Sequence, residues 1–356
     1  MVFTFEEIIS NLQKKIYHPI YFLMGEEAYF IDKISDYIAD HVLIEAEKGF
    51  NQTILYGKDL ESQTIFSAAR RFPMMANYQV IIVREAQNIK DLVTKEKKSE
   101  KDKPEKDKLG KEPKIPLEVY LENPLKSTIL VLCYKYKTID KRTNIAKQLE
   151  KTAVLFESKK IYDNQLPTWI TSYLKPLQYT IAPQAAAMIA EYLGADLSKV
   201  ANELDKLIIS LPPGTQITPD HVEKNIGISK EFNVFELQNA LGERNLLKAN
   251  RIINYFGANQ ASNSISGVIS SLFSFFSKLL NYHFLEDKSQ NNVASVLGVN
   301  PFFVKNYAVA SKNYNIKKLV EIVAILREYD MKSKGWDNVS SSPADLQKEM
   351  IYRILH

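Results

Sequence analysis

The stretch IYFLMGEEAYFIDKISDYIADHVL, residues 20–43, decides the fold class of this chain. Its first residues are largely apolar up to Gly25, which predicts a buried strand that ends in a turn. The residues that follow place apolar side chains on one face at helical spacing, namely Tyr29, Phe30, Ile34, Ile38 and Val42. This order of strand, loop and helix is typical of the beginning of an α/β domain.

The same alternation continues to residue 160. Further strands are predicted at 52–56, 79–86, 127–135 and 152–158. Their apolar residues run on continuously, as they do in parallel sheets that helices cover on both faces. We therefore expect a parallel sheet and one α/β domain over residues 1–160.

The pattern changes after residue 166, beyond which no strand is predicted. Short helices fill residues 161–229, where Asp196 and Thr218 stand at N-cap positions, and longer helices fill residues 230–356. The sequence therefore predicts two all-α domains after the α/β domain.

The composition excludes several classes of protein. Cys133 is the single cysteine, so a disulfide framework and a Cys-rich zinc site are both excluded, and the 5 histidines lack metal-like spacing. The apolar run 265–285 is interrupted by serines and by Lys278, which favours a core helix over a membrane span. No secretory signal is visible, and we expect a cytoplasmic protein with no metal site and no membrane partner.

The net charge of +4 is unevenly distributed. Residues 1–94 carry 9 basic and 13 acidic side chains, whereas residues 230–356 carry 15 and 11. The segment KEKKSEKDKPEKDKLGKEPK (95–114) has Leu109 as its single large apolar residue. Such a segment cannot bury enough surface to order itself, and its alternating charge signs favour a solvated loop over a nucleic-acid tail. We predict a disordered surface insertion at 95–114.

The loop after the first strand, MGEEA at 24–28, lacks the chemistry of a phosphate loop. A functional loop is rich in glycine and ends in Lys-Ser/Thr, whose side chains reach the phosphates and Mg²⁺. Here Gly25 is the only glycine, and the carboxylates of Glu26 and Glu27 would repel a triphosphate. The strand at 127–135 also ends without the acidic residue that holds Mg²⁺ in ATPases. We therefore predict a degenerate, non-binding phosphate loop, with no cofactor and no catalytic residue.

A second unusual feature is the run FPMM, residues 72–75, between a predicted helix and a predicted strand. Connections of this kind are normally polar. Four apolar residues there form either a plug for the core or an exposed anchor, and the residues alone favour the plug. Methionine also suits a binding surface, because its side chain is flexible and polarisable.

Residues 290–309, QNNVASVLGVNPFFVKNYAV, have the spacing of a helix-turn-helix, with Ala294 and Gly298 where two helices would cross. A sequence-specific reader needs Arg, Asn or Gln at the base edges, but the second helix offers only Lys305 and Asn306. Packing of a helix pair is the favoured interpretation, and a DNA-binding regulator stays an alternative.

The order of these elements resembles the delta subunit of the bacterial DNA polymerase III clamp loader over most of the chain. The resemblance lies in YFLMGEEAYFIDKI (21–34), FPMMANYQVIIV (72–83), LENPLKSTILVL (121–132), LGADLSKVANELDKL (193–207), FNVFELQNAL (232–241) and LGVNPFFVKNYA (297–308). It implies an AAA+ type fold with a degenerate ATPase domain (1–160), a helical lid (161–229) and a helical collar (230–356). The lysine-rich insertion departs from the family pattern but lies between elements.

The resemblance also implies a function. Delta subunits have no catalytic activity of their own and belong to a DNA-directed DNA polymerase holoenzyme, which is a nucleotidyltransferase. The subunit binds the sliding clamp and favours its open state, so that the clamp can be loaded onto primed DNA in replication. The collar would join the ATPase subunits and a delta-prime-like subunit, and primer–template DNA would lie within the complex.

Two hydrophobic residues of the family, at the tip of a helix before the third strand, enter a pocket on the clamp. The matching positions here are Met74 and Met75, flanked by Phe72 and Pro73. The family often has Leu and Phe there, so the identity differs and the apolar character is kept. With the resemblance, the exposed anchor becomes the favoured interpretation of this run.

The resemblance also suggests contacts with DNA. An aromatic side chain of the family can stack on template DNA, and Phe303 is the nearest match here. Lys305, Lys332 and Lys334 are further candidates for contact with DNA. An active AAA+ ATPase of replication or repair stays a second alternative to the clamp-loader function, although the degenerate phosphate loop argues against it.

Overall fold

A computed structural model describes residues 3–89, 92–93, 116–162, 164–227, 229, 231–261, 263–338 and 340–356. The chain divides into two compact units, Met1–Ile161 and Tyr162–His356. The predicted insertion at 95–114 lies outside the described residues. The division of the second unit into a lid and a collar stays a prediction.

The first unit alternates strands and helices. Its strands are β1 Ile20–Gly25, β2 Gln52–Tyr56, β3 Gln79–Arg84, β4 Thr128–Lys135 and β5 Val154–Ser158. Its helices are α1 Phe5–Gln13, α2 Ala28–His41, α3 Glu45–Asn51, α4 Ser62–Ala69, α5 Pro116–Glu122 and α6 Asn144–Thr152.

The five strands form one parallel sheet in the order β2-β3-β4-β1-β5. Side chains of β1 alternate between two apolar clusters, one on each face of the sheet: Phe22 belongs to the first, and Tyr21 and Leu23 to the second. All six residues of β1 are buried, which is why its apolar run is continuous. The predicted parallel sheet covered on both faces is confirmed.

Because every strand of this sheet points the same way, its two edges differ in character. We call the junctions that lead into the strands the amino edge; it holds Asn51 before β2 and the loop 70–78 before β3. We call the junctions that follow the strands the carboxyl edge; it holds the loop after β1 and the ends of β3, β4 and β5. In parallel sheets, ligand chemistry is concentrated at the carboxyl edge.

The second unit is mostly helical. Its helices are α7 Leu166–Leu174, α8 Pro183–Leu193, α9 Leu197–Ile209, α10 Pro219–Ile226, α11 Val234–Gly242, α12 Leu246–Ala258, α13 Ile265–His283, α14 Gln290–Leu297, α15 Val304–Asn313, α16 Ile316–Ser333 and α17 Pro343–Leu355. Helices α11 to α17 share one large apolar core, which includes Phe256, Phe276 and Tyr314. Asp196 caps α9 as expected, since its carboxylate accepts a hydrogen bond from the Lys199 N–H at 3.1 Å.

Two strands in the second unit depart from the sequence prediction. β6 Thr180–Ile181 and β7 Gln216–Ile217 pair in parallel, whereas no strand was expected after residue 166. Each has only two residues, too few to display the alternation from which strands are predicted. In the part of the chain that the structure describes, no helix is long and apolar enough to cross a membrane.

Candidate functional site

The FPMM run lies in the loop 70–78 at the amino edge, after α4 has ended at Ala69. Its side chains point mainly into solvent: Phe72 is 76% exposed, Met74 is 62% exposed and Met75 is fully exposed. Pro73 between them is half-buried. The run therefore does not plug the core, and it presents an apolar surface at a position where turns are normally polar.

The base of this loop is tied to the sheet by buried polar groups. The Nε2 amide of Gln79, the first residue of β3, donates to the Arg71 carbonyl at 2.6 Å and to the Thr128 hydroxyl at 2.7 Å. The Thr128 hydroxyl in turn donates to the Ala69 carbonyl at 2.9 Å. These bonds satisfy carbonyl groups at the end of α4 that have no partner within the helix, and they fix where the loop begins.

The tip of the loop is held by a second contact. The backbone N–H of Met74 donates to Asn51 Oδ1 at 2.6 Å, and the Met74 carbonyl accepts from Asn51 Nδ2 at 2.9 Å. Asn51 ends α3 and is only 4% exposed. Met75, the next residue, has a φ of 52°, in the left-handed region that costs a non-glycine residue about 1 kcal/mol or more. The exposed apolar tip therefore has a defined and strained backbone.

At the carboxyl edge, the backbone N–H groups of the loop after β1 are hydrogen-bonded within the chain. The N–H of Gly25 donates to the Lys137 carbonyl at 3.0 Å, and the N–H of Glu26 donates to the Ser158 carbonyl at 3.2 Å. Gly25 has a φ of 125°, and a Cβ there would lie 2.1 Å from the Ser158 carbonyl oxygen. The glycine is thus required by the close approach of β5, and these two N–H groups are already engaged within the chain.

The start of α2 is also occupied from within the chain. The Glu27 carboxylate accepts a hydrogen bond from the Tyr29 N–H at 3.2 Å, so an internal anion caps the end of the helix that attracts phosphate in nucleotide-binding domains.

A cluster of paired charges lies beside this helix. Asp32 on α2 contacts both Arg84 at 3.3 Å and Lys135 at 2.7 Å, which end β3 and β4. Arg84 also pairs with Asp36 at 2.5 Å. Burial alone would lower the pKa of Arg84, but its hydrogen bond and charge attraction to Asp36 raise that pKa above its ordinary value. The ends of these strands thus present cations, neutralised by carboxylates, where a Mg²⁺-binding acid would be needed.

The aromatic candidate for DNA contact packs against another aromatic ring of the second unit. Phe303 is half-buried and its ring stacks on Phe235, with the centroids 5.6 Å apart. The neighbouring Phe302 is more exposed, and the Lys305 ammonium lies 4.8 Å from the centroid of that ring. The structure thus brings Lys305 together with Phe302, and the Phe302 ring is more exposed than the Phe303 ring.

The lysines near the end of α16 are ion-paired. Lys332 contacts Glu328 at 2.8 Å, and Lys334 contacts Asp330 at 2.7 Å. The Lys332 side chain is only 20% exposed and that of Lys334 is 66% exposed, so Lys334 is the more accessible of these two lysines. The structure does not bring either lysine into contact with Phe303 or Lys305.

The helix-turn-helix interpretation meets an obstacle at Asn306. Helices α14 and α15 flank a turn whose Gly298 has a φ of 60°, as the spacing predicts. The Asn306 side-chain amide, however, donates to Asn239 Oδ1 on α11 at 2.7 Å. That amide is engaged in helix packing, which removes one of the two side chains with which α15 could read a base edge.

Two residues of the amino edge were missed by the sequence analysis. Asn51 holds the tip, and Phe50 beside it in the chain is 76% exposed. An apolar residue within the polar helix sequence EAEKGFN (45–51) was the only available signal.

Among the described residues, no group of three or more His, Cys, Asp or Glu side chains is placed to hold a metal ion.

Comparison with known proteins identifies the family. The family model described as DNA polymerase III, delta subunit, matches residues 21–159, and the model for the C-terminal domain of that subunit matches residues 231–339. The DNA polymerase III subunit delta of Bacillus subtilis (strain 168) is 28% identical over 335 residues, which cover 92% of this chain and 91% of that protein.

A solved structure supports the fold. The Bacillus subtilis DNA clamp loader delta protein matches with a TM-score of 0.57 and 24% identity, over 99% of this chain and 99% of that one. The two family models together span well over half of the chain, and both units contribute to the match. The resemblance seen in the sequence is confirmed: this chain belongs to the family of DNA polymerase III delta subunits.

Proposed function

We propose that the chain binds the sliding clamp through the apolar tip formed by Phe72, Pro73, Met74 and Met75, and that binding favours the open state of the clamp. The observation that carries the proposal is the exposure of three large apolar side chains on a loop whose backbone is held at both its base and its tip. Exposed apolar groups on a defined backbone are typical of binding anchors.

The expected energy of this contact follows from the side chains. Burying one exposed methionine side chain contributes about 1.5–3 kcal/mol, so Met74 and Met75 together can account for well over a tenfold change in affinity. Met75 gains the most, because none of its surface is buried in the chain itself. Phe72 and Pro73 would add apolar area at the rim of the same contact.

We further propose that the chain has no ATPase activity of its own. The backbone N–H groups of Gly25 and Glu26 are bonded within the chain, and the Glu27 carboxylate caps α2. A triphosphate would have to displace all three interactions and would meet two carboxylates where cations are required. This argues against the alternative of an active AAA+ ATPase, and it leaves any nucleotide chemistry to other subunits.

The second unit would supply the contacts with the other loader subunits. We propose that residues 161–229 act as a lid and residues 230–356 as a collar that joins the ATPase and delta-prime-like subunits. Exposed apolar side chains in the collar region are suited to such contacts, for example Phe273, Phe284 and Trp336.

Primer–template DNA would lie within the assembled complex. Phe302, Phe303 and Lys305 are the candidates for contact with it, and Lys332 and Lys334 are secondary candidates because both are ion-paired. This role would place the chain in the cytoplasm at the replisome.

Co-purification of the full chain with the sliding clamp and the ATPase loader subunits tests this proposal. The wild-type chain should carry both the clamp and the loader subunits. The variant with Met74→Ala and Met75→Ala should lose the clamp and keep the loader subunits, because the tip lies in the first unit and the collar in the second. Retention of the clamp by this variant would contradict the role of the tip.

A further inference from the structure

The contact between Asn51 and Met74 has a geometry that no single charged or hydroxyl side chain reproduces. One carboxamide accepts from the N–H and donates to the carbonyl of the same residue, at 2.6 Å and 2.9 Å. The Asn51 Nδ2 group also lies 3.3 Å from the Glu47 carbonyl of its own helix. The orientation of the amide is settled by these partners, because a flipped amide would place donor against donor and acceptor against acceptor.

We propose that Asn51 is a positioning residue for clamp binding, which holds the Met74 backbone so that the apolar tip is presented in its binding conformation. This inference rests on the proposed role of the tip. Asn51 itself is 4% exposed, so its side chain has little surface to offer to a partner. Its effect must therefore pass through Met74.

Pre-organisation is the physical basis of this effect. Residues 72–76 belong to no helix or strand. The ring of Pro73 fixes its own φ, but the φ and ψ angles of Met74, Met75 and Ala76 would otherwise be variable. Ordering one residue on binding costs about 1–2 kcal/mol, which corresponds to roughly tenfold in affinity. If the binding conformation is present only in part of the population, the apparent affinity falls by that fraction. Asn51 would raise that fraction in the unbound chain.

The left-handed conformation of Met75 adds a reason for such a support. A non-glycine residue at a φ of 52° is strained, and such strain persists only where the surroundings hold the backbone. Asn51 holds the residue immediately before Met75, and its two bonds fix both the N–H and the carbonyl side of that residue. Without them, the peptide between Met74 and Met75 could rotate and turn the exposed Met75 side chain away.

Asn51→Asp is the sharpest variant, because it keeps the shape and the acceptor but replaces the donor with a carboxylate oxygen that faces the Met74 carbonyl. The full-length variant is titrated with the sliding clamp, and association and dissociation rates are recorded. We expect a loss of about tenfold in affinity, mainly in the association rate, as for a chain that must first find its binding conformation. Ile8→Val, which trims a buried side chain of α1, is the control for a general loss of stability, and it should leave clamp affinity unchanged.

A coupling measurement separates positioning from a merely structural role. Asn51→Asp is combined with Met74→Ala and Met75→Ala, and the loss of affinity is compared with that in the wild-type background. If Asn51 acts through the tip, the substitution adds almost nothing once both methionines are gone. An equal loss in both backgrounds, or clamp affinity of Asn51→Asp equal to that of the wild type, would overturn the inference.

A measurement on the wild-type chain keeps the inference testable even if Asn51→Asp does not fold. The Met74 amide should exchange its hydrogen slowly in the unbound chain, because it is bonded to a buried acceptor. Exchange of the Met74 amide as fast as in an unfolded peptide would contradict the inference. Failure of the proposed function is recognised separately, since Met74→Ala with Met75→Ala would then bind the clamp normally.

Discussion

The two edges of the five-stranded sheet treat their polar and apolar groups in opposite ways. At the carboxyl edge, the N–H groups of the loop after β1 are bonded to carbonyl groups of the chain, and Asp32 and Asp36 together neutralise Arg84 and Lys135. At the amino edge, the tip at 72–75 leaves large apolar side chains in solvent although its backbone is held. At the edge where parallel sheets normally bind ligands, these polar groups are thus paired within the chain, and at the opposite edge apolar side chains are exposed.

This difference supports the proposal that the first unit binds a protein partner and does not bind nucleotide. At the carboxyl edge, Gly25 permits the close approach of Ser158. The amino edge bears the strained Met75 backbone and the exposed apolar surface. Backbone strain and exposed apolar area, rather than the position of a motif, are the reasons for which the amino edge is proposed as the binding edge.

The largest effect on stability is expected from a side chain added at Gly25, on the carboxyl edge. Gly25→Ala would place a methyl group 2.1 Å from the Ser158 carbonyl oxygen at a φ of 125°, so a neighbouring strand must move. We expect a loss of more than about 3 kcal/mol in the free energy of unfolding, measured by thermal or denaturant unfolding. Gly49→Ala in α3, where a Cβ meets no atom within 4 Å, is the matched control and should be neutral or slightly stabilising. Equal stability of the two variants would show that the β1 loop is not closed against β5.

An intermediate effect is expected at the base of the amino edge. Gln79→Leu keeps the volume of a buried side chain but leaves the Arg71 carbonyl and the Thr128 hydroxyl without their shared donor. The free energy of unfolding should fall by about 1–3 kcal/mol, the usual cost of unsatisfied buried polar groups. The affinity of Gln79→Leu for the clamp, measured well below its unfolding temperature, tests whether the bonds at the base of the loop also fix the conformation of the tip. A variant as stable as the wild type would mean that these bonds do not hold the loop.

Nucleotide should leave the chain unchanged. A site with a dissociation constant one hundredth of the ATP concentration would stabilise the folded chain by about 2.7 kcal/mol and raise its melting temperature. The N–H groups of Gly25 and Glu26 are bonded within the chain, and the Glu27 carboxylate caps α2. We therefore expect no shift in melting temperature with ATP and Mg²⁺, measured on the isolated full chain. A concentration-dependent rise would reopen the alternative of an active ATPase.

The smallest effect concerns the single cysteine, which lies on β4 within the sheet. Cys133 is fully buried, and burial raises the pKa of its thiol to about 11, so very little thiolate is present at neutral pH. We expect no reaction with a thiol reagent in the folded chain at neutral pH and complete reaction after unfolding. Rapid labelling of the folded chain would show that the sheet opens locally near its carboxyl edge.

The local sequence pattern was enough to predict the strands of the sheet. It was not enough to decide whether the side chains of residues 72–75 are buried or exposed. β1 and β4 were recognisable because buried parallel strands are continuous apolar runs. α3 was not, because EAEKGFN (45–51) is short, contains Gly49 and lacks a periodic apolar face. The helix that carries Asn51 was therefore missing from the sequence prediction, and so was the residue.

Contacts between distant residues explain what else could not be predicted. Asn51 and Met74 are 23 positions apart and meet only because β2 and β3 are neighbours in the sheet. Gly25 could be seen as a poor phosphate loop, but its contact with Ser158 depends on the pairing of β1 with β5. Local composition shows which chemistry is missing from a loop, whereas the structure is needed to show what occupies its place.

The most direct test of the account is a calorimetric titration of the sliding clamp into the full chain, with and without ATP and Mg²⁺. We predict that the wild-type chain binds the clamp, that Met74→Ala with Met75→Ala weakens binding by more than about tenfold while the fold is intact, and that nucleotide changes neither result. Unchanged affinity of the double variant, or clamp binding that requires nucleotide on the isolated chain, would contradict the division of roles between the two edges.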